Sequence, residues 1–324
     1  MQATVKPIPV TVLTGYLGAG KTTLLNRILS EDHGHRFAVI VNEFGELGID
    51  NDLVVNADEE VFEMNNGCIC CTVRGDLIRI VGSLLKRRGQ FDAIIVETTG
   101  VANPAPVAQS FLVDEMLRER TTLDAIVTVV DAKHLPLRLE DSAEAEGQLA
   151  FADVIVLNKT DLVSEDELTA LEARIRTINA LAPIHRAQRG NVALSDILDK
   201  SAFSLEKTLE KHGDFLDAAA HEHTEHVTSI SLSVDAPLIR SKFEAWIGAI
   251  LAEQGGNLLR TKGILNFQGE DKRFAFQAVH MIADGDHIGP WPEGSAKQSR
   301  LVFIGRDLNR PQLRRGFESC TVRA

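Results

Sequence analysis

Residues 15–22 read GYLGAGKT and match the pattern G-x-x-x-x-G-K-S/T in full. This stretch follows an apolar run, Val10–Leu13, and leads into a stretch of helical periodicity, Thr22–Leu29. A glycine-rich segment between a strand and a helix lets backbone N–H groups converge on phosphate, and the helix N-terminus adds positive potential. The stretch therefore predicts a phosphate-binding loop for a nucleoside triphosphate.

The last residues of this loop carry its chemistry. Lys21 is expected to reach the β- and γ-phosphates, and the Thr22 hydroxyl to ligate Mg²⁺. A glycine-rich turn with a chance Lys-Thr pair is the plainer interpretation, but the flanking strand and helix and a second motif downstream argue against it. The predicted nucleotide contacts within the loop are Gly15, Gly18, Ala19, Gly20, Lys21, Thr22 and Thr23.

Length, charge and hydropathy limit the class of protein. The chain has 324 residues, enough for two domains, and a formal net charge of −12. That charge disfavours nucleic acid and anionic membrane surfaces as partners. No apolar run approaches the ~20 residues that span a bilayer, and residues 1–9 show no pattern of a secretory signal. The expected compartment is the cytoplasm.

The order of apolar and helical segments predicts the architecture. Apolar, β-branched runs alternate with helical stretches up to about residue 200, which is typical of strands buried on both faces of a parallel sheet. The fold class predicted is α/β, with a mostly parallel, doubly wound sheet, plus a smaller α+β domain. The predicted elements include strands over 125–131, 154–158 and 228–234 and helices over 165–178 and 237–253. The predicted boundaries are residues 1–202 for the first domain, 203–226 for a polar, His-rich linker and 227–324 for the second domain.

The segment NKTD, residues 158–161, indicates guanine as the base. A carboxylate at Asp161 can accept hydrogen bonds from both the ring N1–H and the exocyclic amine of guanine, a donor pair that adenine lacks. Asn158 is expected either to bond the base edge or to brace the phosphate loop, and the Lys159 stem to cover the base. The motif is weak alone, but it follows an apolar strand ~140 residues after a phosphate loop.

A third motif, ETTG at residues 97–100, ends another apolar strand. Glu97 can hold Mg²⁺ through water, and the Gly100 N–H can approach the γ-phosphate. Asp131 ends a further apolar strand and is the competing acidic residue. The glycine three positions after Glu97 favours Glu97, because it would serve as a sensor of the γ-phosphate.

Three cysteines crowd into Cys68, Cys70 and Cys71, just before a stretch of helical pattern. A helix N-terminus favours thiolates, and three thiolates with one further ligand suit a thiophilic ion such as Zn²⁺. Buried small residues and a redox dithiol are the alternatives, although the spacing is not C-x-x-C. Zn²⁺ and Co²⁺ are not distinguished by thiolate ligands. The segment 221–226, HEHTEH, is a second metal candidate, weighed evenly against a solvated linker.

Taken in this order, these motifs and the segment NEFGE at residues 42–46 resemble the CobW-type P-loop GTPases, of the SIMIBI class. That family includes zinc-regulated metallochaperones and cobalamin-synthesis proteins. The resemblance covers nearly the whole chain, including a C-terminal region similar to the CobW C-terminal module, and the Cys-x-Cys-Cys element discriminates it from other GTPases. No client-docking segment of the animal type is visible before Pro7.

The resemblance implies a GTP hydrolase that binds Zn²⁺ or Co²⁺ through the three cysteines and delivers it to a client metalloprotein. It further implies that Thr72 approaches the nucleotide, that Glu46 and Asp50 lie in the region that moves with the γ-phosphate, and it is compatible with a homodimer. Two other interpretations stay open. One is a metal buffer or sensor with GTP as a structural cofactor, and the other is a cobalt-handling protein of cobalamin synthesis.

Overall fold

The computed structural model describes residues 7–31, 34–42, 61–64, 72–87, 91–200 and 227–322. The chain divides into two compact units. The first comprises Met1–Ala173 and Ala182–Ser201, and the second comprises Arg174–Leu181 and Ala202–Ala324. The predicted linker, 203–226, lies outside the described residues and stays a prediction.

The first unit is built on a parallel sheet. Among the described residues seven strands form it: β1 (Ile8–Thr14), β2 (Phe37–Asn42), β3 (Val61–Met64), β4 (Ala93–Glu97), β5 (Thr121–Asp131), β6 (Val154–Asn158) and β7 (Ile184–Arg186). Their order across the sheet is β3-β2-β4-β1-β5-β6-β7, and every pairing is parallel. The central strand β1 is buried on both faces, since the neighbouring residues Val12 and Leu13 point to opposite faces and both are buried. This is the doubly wound α/β fold that the sequence predicts.

Helices connect these strands and cover the sheet. They are α1 (Lys21–Ser30), α2 (Thr72–Leu85), α3 (Ala105–Val113), α4 (Glu115–Arg120), α5 (Leu135–Asp141), α6 (Ala143–Phe151) and α7 (Glu165–Ile178). Among the described starts of these helices, three have side-chain N-caps: Asp114 accepts from the Leu117 N–H, Ser142 from the Ala145 N–H and Ser164 from the Glu167 N–H. Parallel connections of this kind bring the loops that follow β1, β4, β5 and β6 to one edge of the sheet.

The second unit is an antiparallel sheet with helices. The described part contains β8 (Thr228–Val234), α8 (Arg240–Gln254), β9 (Leu258–Leu265), β10 (Lys272–Val279), β11 (Ile282–Pro290), β12 (Ser299–Gly305) and α9 (Arg310–Ser319). The strand order is β11-β10-β9-β12-β8. Phe243, Phe267, Phe303 and Phe317 lie in its core, where Cys320 is also buried. Burial raises the pKa of the Cys320 thiol, which suits a packing residue better than a reactive one.

Several predicted elements match the structure closely, and others do not. The strand over residues 228–234 and the helix over 165–178 have the predicted bounds. The helix predicted from Pro237 begins instead at Arg240, because Leu238 pairs with Phe267 and Thr321 in isolated bridges. The strand predicted from Ala125 begins at Thr121. Strands β3 and β11 were not predicted.

No helix in the described ranges combines the length and the apolar character that a membrane crossing requires.

Candidate functional site

The loop between β1 and α1 has a backbone that only glycine suits at two positions. Gly15 and Gly20 have φ of 140° and 106°, outside the range that side chains normally allow. A Cβ at Gly15 would lie 2.1 Å from the Val129 carbonyl oxygen, and one at Gly20 would lie 2.5 Å from Nδ2 of Asn158. The loop is therefore packed tightly against the ends of β5 and β6.

Lys21 begins α1 and folds back over the loop. Its ammonium donates to the carbonyl oxygens of Gly15, at 2.9 Å, and Tyr16, at 3.4 Å, and the residue is buried. The first turn of α1 has no acidic residue, and no side chain caps its N-terminus. A helix N-terminus with an adjacent ammonium offers fixed positive potential to an anion, so this loop fits the phosphates of a nucleotide.

The end of β4 is fastened to β1 and to the phosphate loop. The Thr98 hydroxyl donates to the Thr14 hydroxyl at 2.8 Å, and the Thr98 N–H donates to the Leu13 carbonyl at 2.9 Å. Glu97, directly before Thr98, is buried and pairs in register with Leu13. A Cβ at Gly100 would lie 2.6 Å from the Leu17 nitrogen, so the loop after β4 contacts the phosphate loop directly. These contacts bring Glu97 and Gly100 to the edge where Lys21 and Thr22 lie.

Asp131, the competing acidic residue, is engaged by other side chains. One of its carboxylate oxygens accepts from Lys159 Nζ at 2.7 Å and from the His134 ring at 2.9 Å. The other accepts from the backbone N–H groups of Lys133 and His134. Although burial acts to raise it, the hydrogen bonds from Lys159 and His134 hold the pKa of Asp131 below its usual value. Asp131 therefore orients Lys159, and the choice of Glu97 as the Mg²⁺ carboxylate stays a prediction from the sequence.

Asn158, at the end of β6, joins two loops. Its side-chain amide donates to the Ala19 carbonyl oxygen and accepts from the Gly190 N–H, each at 2.9 Å, and the residue is buried. The sequence allows two roles for Asn158, and these hydrogen bonds correspond to the second one, bracing the phosphate loop. Lys159 follows in the left-handed region with φ of 60°, and Asp161 is exposed in a short 3₁₀ turn, Thr160–Leu162.

Residues 187–190 belong to this site although the sequence analysis did not single them out. Thr160 donates from its N–H and its hydroxyl to the Ala187 carbonyl oxygen, at 3.2 and 3.1 Å. Arg27, on α1, donates to the carbonyl oxygens of Gly190 and Val192 at 2.8 and 2.6 Å. The loop is thus held between the phosphate-binding helix and the NKTD segment. Its only sequence signal is a glycine after an apolar strand.

A cavity of about 270 Å³ opens beside the phosphate loop. Arg138 lies over the Tyr16 ring, with its guanidinium carbon 5.1 Å from the ring centroid, at the cavity wall. The other residues of its wall that bear on the site are Leu17, Gly18, Asp131, Gln148 and Lys159. The cavity therefore lies between the phosphate loop and helices α5 and α6.

Several predicted site residues fall outside the described part of the chain. They are Glu46, Asp50, Cys68, Cys70, Cys71 and the histidines of 221–226, and the side chain of Thr72, the first residue of α2, is likewise not described. Within the described residues, no group of three or more His, Cys, Asp or Glu side chains could hold a metal ion. The cysteine site remains a prediction from the sequence.

Two family models match the chain. Residues 9–186 match the CobW/HypB/UreG nucleotide-binding domain. Residues 227–321 match the cobalamin synthesis protein cobW C-terminal domain. The two matches together cover most of the described sequence of both units.

Full-length relatives resemble the chain from end to end. The zinc chaperone YjiA of Escherichia coli is 36% identical over 96% of this chain and 98% of its own length. The zinc-regulated GTPase metalloprotein activator 1 of Schizosaccharomyces pombe is 34% identical over 95% of this chain and 84% of its own length. The crystal structure of the Zn(II)-bound YjiA GTPase from E. coli covers 98% of this chain and 100% of its own with a TM-score of 0.78, at 31% identity.

Proposed function

The chain belongs to the CobW family, and from this premise we propose that it is a GTP hydrolase that acts as a metallochaperone. It hydrolyses GTP to GDP and phosphate, and the nucleotide state controls its hold on Zn(II), which it carries as cargo to a client metalloprotein. The proposed GTPase activity rests on one observation. The Asn158 side chain links the phosphate loop, at Ala19, to the loop 187–190, at Gly190, which we call the base-side loop. The loop proposed to bind the phosphates and the loop proposed to lie beside the base are therefore fixed relative to each other.

Phosphate binding rests on Lys21 and the N-terminus of α1. The ammonium is already held at the loop by the Gly15 and Tyr16 carbonyls, so little reorganisation is needed when it meets the β- and γ-phosphates. Charge that develops on the γ-phosphoryl oxygens during transfer is stabilised by this ammonium and by the backbone N–H groups of the loop. In this proposal the Gly100 N–H contacts the γ-phosphate.

The oxygen atoms of Thr22 and Glu97 suit Mg²⁺, which prefers hydroxyl, carboxylate and phosphate ligands. In this proposal Thr22 ligates the ion directly and Glu97 holds it through water. Mg²⁺, when bound, neutralises charge on the phosphate oxygens. The buried position of Glu97 and the hydrogen bonds that fasten Thr98 to β1 keep the carboxylate at this edge of the sheet.

Guanine selection rests on Asp161 and Lys159. Asp161 is exposed at the sheet edge, where its carboxylate accepts from the two donors of guanine. Lys159 is held by Asp131 at 2.7 Å, and its stem covers the base. The hydrogen bonds of Thr160 to Ala187 keep the turn that carries Asp161 in register with β7.

Metal delivery is supported by the names of the full-length relatives, two of which are a zinc chaperone and a zinc-regulated metalloprotein activator. In this proposal Cys68, Cys70 and Cys71 hold the ion, and they precede α2 by one to four residues. Glu46 and Asp50 belong to the segment that responds to the γ-phosphate. Loss of that phosphate relaxes the segment and loosens the metal.

Phosphate release from GTP and from ATP tests the proposal, with and without one equivalent of Zn²⁺. We expect slow turnover of GTP, much slower turnover of ATP, and a change in the GTP rate when Zn²⁺ is added. A rate of GTP hydrolysis that does not change when Zn²⁺ is added would favour a metal buffer or sensor with GTP as a structural cofactor. Equal turnover of ATP and GTP would contradict the guanine assignment.

A further inference from the structure

Gln148 is a buried amide at the inner face of α6. It is 1% exposed. Its Nε2 donates two hydrogen bonds, to the carbonyl oxygens of Gly100 and Ala102, each at 3.1 Å. Both N–H groups of the amide are therefore used on one loop, the loop that follows Glu97.

These two carbonyls belong to a turn. The Ala102 N–H donates to the Thr99 carbonyl oxygen at 3.0 Å, so residues 99–102 close on themselves, and Gln148 fastens the outer side of that turn. On the other side, Gly100 lies against Leu17 so closely that a Cβ there would be 2.6 Å from the Leu17 nitrogen. Gly100 is thus held between the phosphate loop and α6.

The helix that carries Gln148 is itself fixed. The backbone carbonyl of Gln148 accepts a hydrogen bond from the Thr128 hydroxyl at 3.0 Å, which ties α6 to β5. Ser142 caps the start of the helix through the Ala145 N–H. A side chain on so rigid a support can set the position of a loop to within a fraction of an ångström, which a contact with a reacting phosphate requires.

We propose that Gln148 is a positioning residue for the γ-phosphate of GTP. It holds the turn 99–102 so that the Gly100 N–H is presented to the γ-phosphate, and it acts only through that turn. This inference rests on the proposed function, because it assumes that GTP occupies the phosphate loop. Since GDP lacks the γ-phosphate, Gln148 contributes to GTP binding and turnover and not to GDP binding.

The test compares Gln148→Met with wild type. Methionine has a similar length and can donate no hydrogen bond, so it leaves the buried Gly100 carbonyl and the partly buried Ala102 carbonyl without this donor. We expect the affinity for a non-hydrolysable GTP analogue to fall roughly tenfold, the affinity for GDP to stay within about twofold, and kcat to fall more than KM rises. Thr121→Val is the matched control, because it also removes a buried side-chain-to-backbone hydrogen bond of the same unit, the one from the Thr121 hydroxyl to the Leu117 carbonyl oxygen, away from the loop.

The ratio of GTP-analogue to GDP affinity decides the outcome. The control is expected to lower the melting temperature while keeping the wild-type ratio. Equal losses for both nucleotides in Gln148→Met, or an unchanged ratio, would overturn the inference. If Gln148→Met does not fold, Gln148→Glu is used instead, because it keeps the shape of the side chain but places a carboxylate against the two carbonyls. The same ratio of GTP-analogue to GDP affinity is then measured for Gln148→Glu. If the wild type binds both nucleotides but does not hydrolyse GTP, the proposed function fails while the ratio still tests Gln148.

Discussion

Asn158 donates a hydrogen bond from its side-chain amide to the carbonyl oxygen of Ala19, 139 positions earlier in the chain and 2.9 Å away. The same amide accepts from the Gly190 N–H. Because this hydrogen bond is buried, water cannot readily replace either partner, and breaking it costs free energy. The phosphate loop and the base-side loop are therefore held in one arrangement, and the nucleotide is expected to meet a preformed site.

Asn158→Ala tests this brace. The substitution leaves a buried carbonyl and a buried N–H without partners, which costs about 1–3 kcal/mol for each such group. We expect GTP and GDP to lose affinity together, by roughly tenfold or more, as measured by calorimetric titration. Asn191→Ala, an exposed asparagine beside the same loop, is the control. Wild-type affinity for both nucleotides in Asn158→Ala would show that the brace has no part in binding.

We expect nucleotide preference to depend on Asp161. Asp161→Asn removes one or two charge-assisted hydrogen bonds at about 1.5–3 kcal/mol each, so GTP affinity is expected to fall roughly tenfold or more. Xanthosine triphosphate, which carries a carbonyl in place of the exocyclic amine, is expected to gain. Asp166→Asn changes an exposed acid of the same unit and serves as the control. An Asp161→Asn protein with an unchanged ratio of GTP to xanthosine triphosphate affinity would place base recognition elsewhere.

We expect turnover to depend on Lys21. Lys21→Ala is expected to abolish GTP hydrolysis, because it removes the cation proposed to stabilise the phosphates. It is expected to leave the fold intact, because the ammonium contacts loop carbonyls rather than the hydrophobic core. Phosphate release and far-UV circular dichroism check the two halves of this expectation. Lys133→Ala removes an exposed lysine of the same unit and is expected to keep full activity. Normal hydrolysis by Lys21→Ala would mean that the active site lies elsewhere.

The second unit carries an ion pair that predicts a pH dependence of stability. Glu270 accepts from Arg240 at 2.9 and 2.8 Å and from His287 at 2.7 Å. Arg240 also lies over the rings of Phe267 and Phe274. The hydrogen bonds from Arg240, with a further one from His287, lower the pKa of Glu270 to about 2, against an ordinary value of 4.5.

A lowered pKa of an acid means stability that is present above the ordinary value and is lost as pH falls toward the folded value. Glu270→Gln is therefore expected to lower the free energy of unfolding near pH 6, and its difference from wild type is expected to shrink between about pH 4.5 and pH 2. Urea unfolding at a series of pH values measures this difference, with the exposed Glu293→Gln as the control. A difference that does not change across this range would contradict the assignment.

Much of the fold can be predicted from the sequence because the strands of the first unit are buried on both faces. The strand Val154–Asn158, for example, is apolar up to Leu157, and the structure confirms it. Strand β11 escapes prediction for the opposite reason. It is an edge strand whose middle residues are exposed, and its polar sequence ADGDH resembles a turn. These residues form a strand because they pair with β10. The local sequence pattern does not indicate this pairing.

The same distinction applies to the site. The phosphate loop and the NKTD segment have local signatures, so their residues can be named before their geometry is known. Gln148 and Arg27 have none. Gln148 contacts carbonyls 46 and 48 positions away, and Arg27 contacts carbonyls more than 160 positions away. Positioning residues of this kind are defined by tertiary contacts rather than by spacing along the chain.

We expect the nucleotide state to set the affinity of the protein for Zn²⁺, and titration of Zn²⁺ in two nucleotide states measures this coupling. The measurement uses a competing chelator and the full chain saturated with a Mg²⁺-GTP analogue or with Mg²⁺-GDP, with Cys68, Cys70 and Cys71 replaced together by serine as the control. We predict tighter Zn²⁺ binding in the GTP-analogue state by roughly 5–150-fold, reciprocal tightening of the analogue by Zn²⁺, and loss of tight binding in the serine variant. Identical Zn²⁺ affinities in the two states would contradict the coupling of metal binding to the nucleotide, even if the protein binds both ligands.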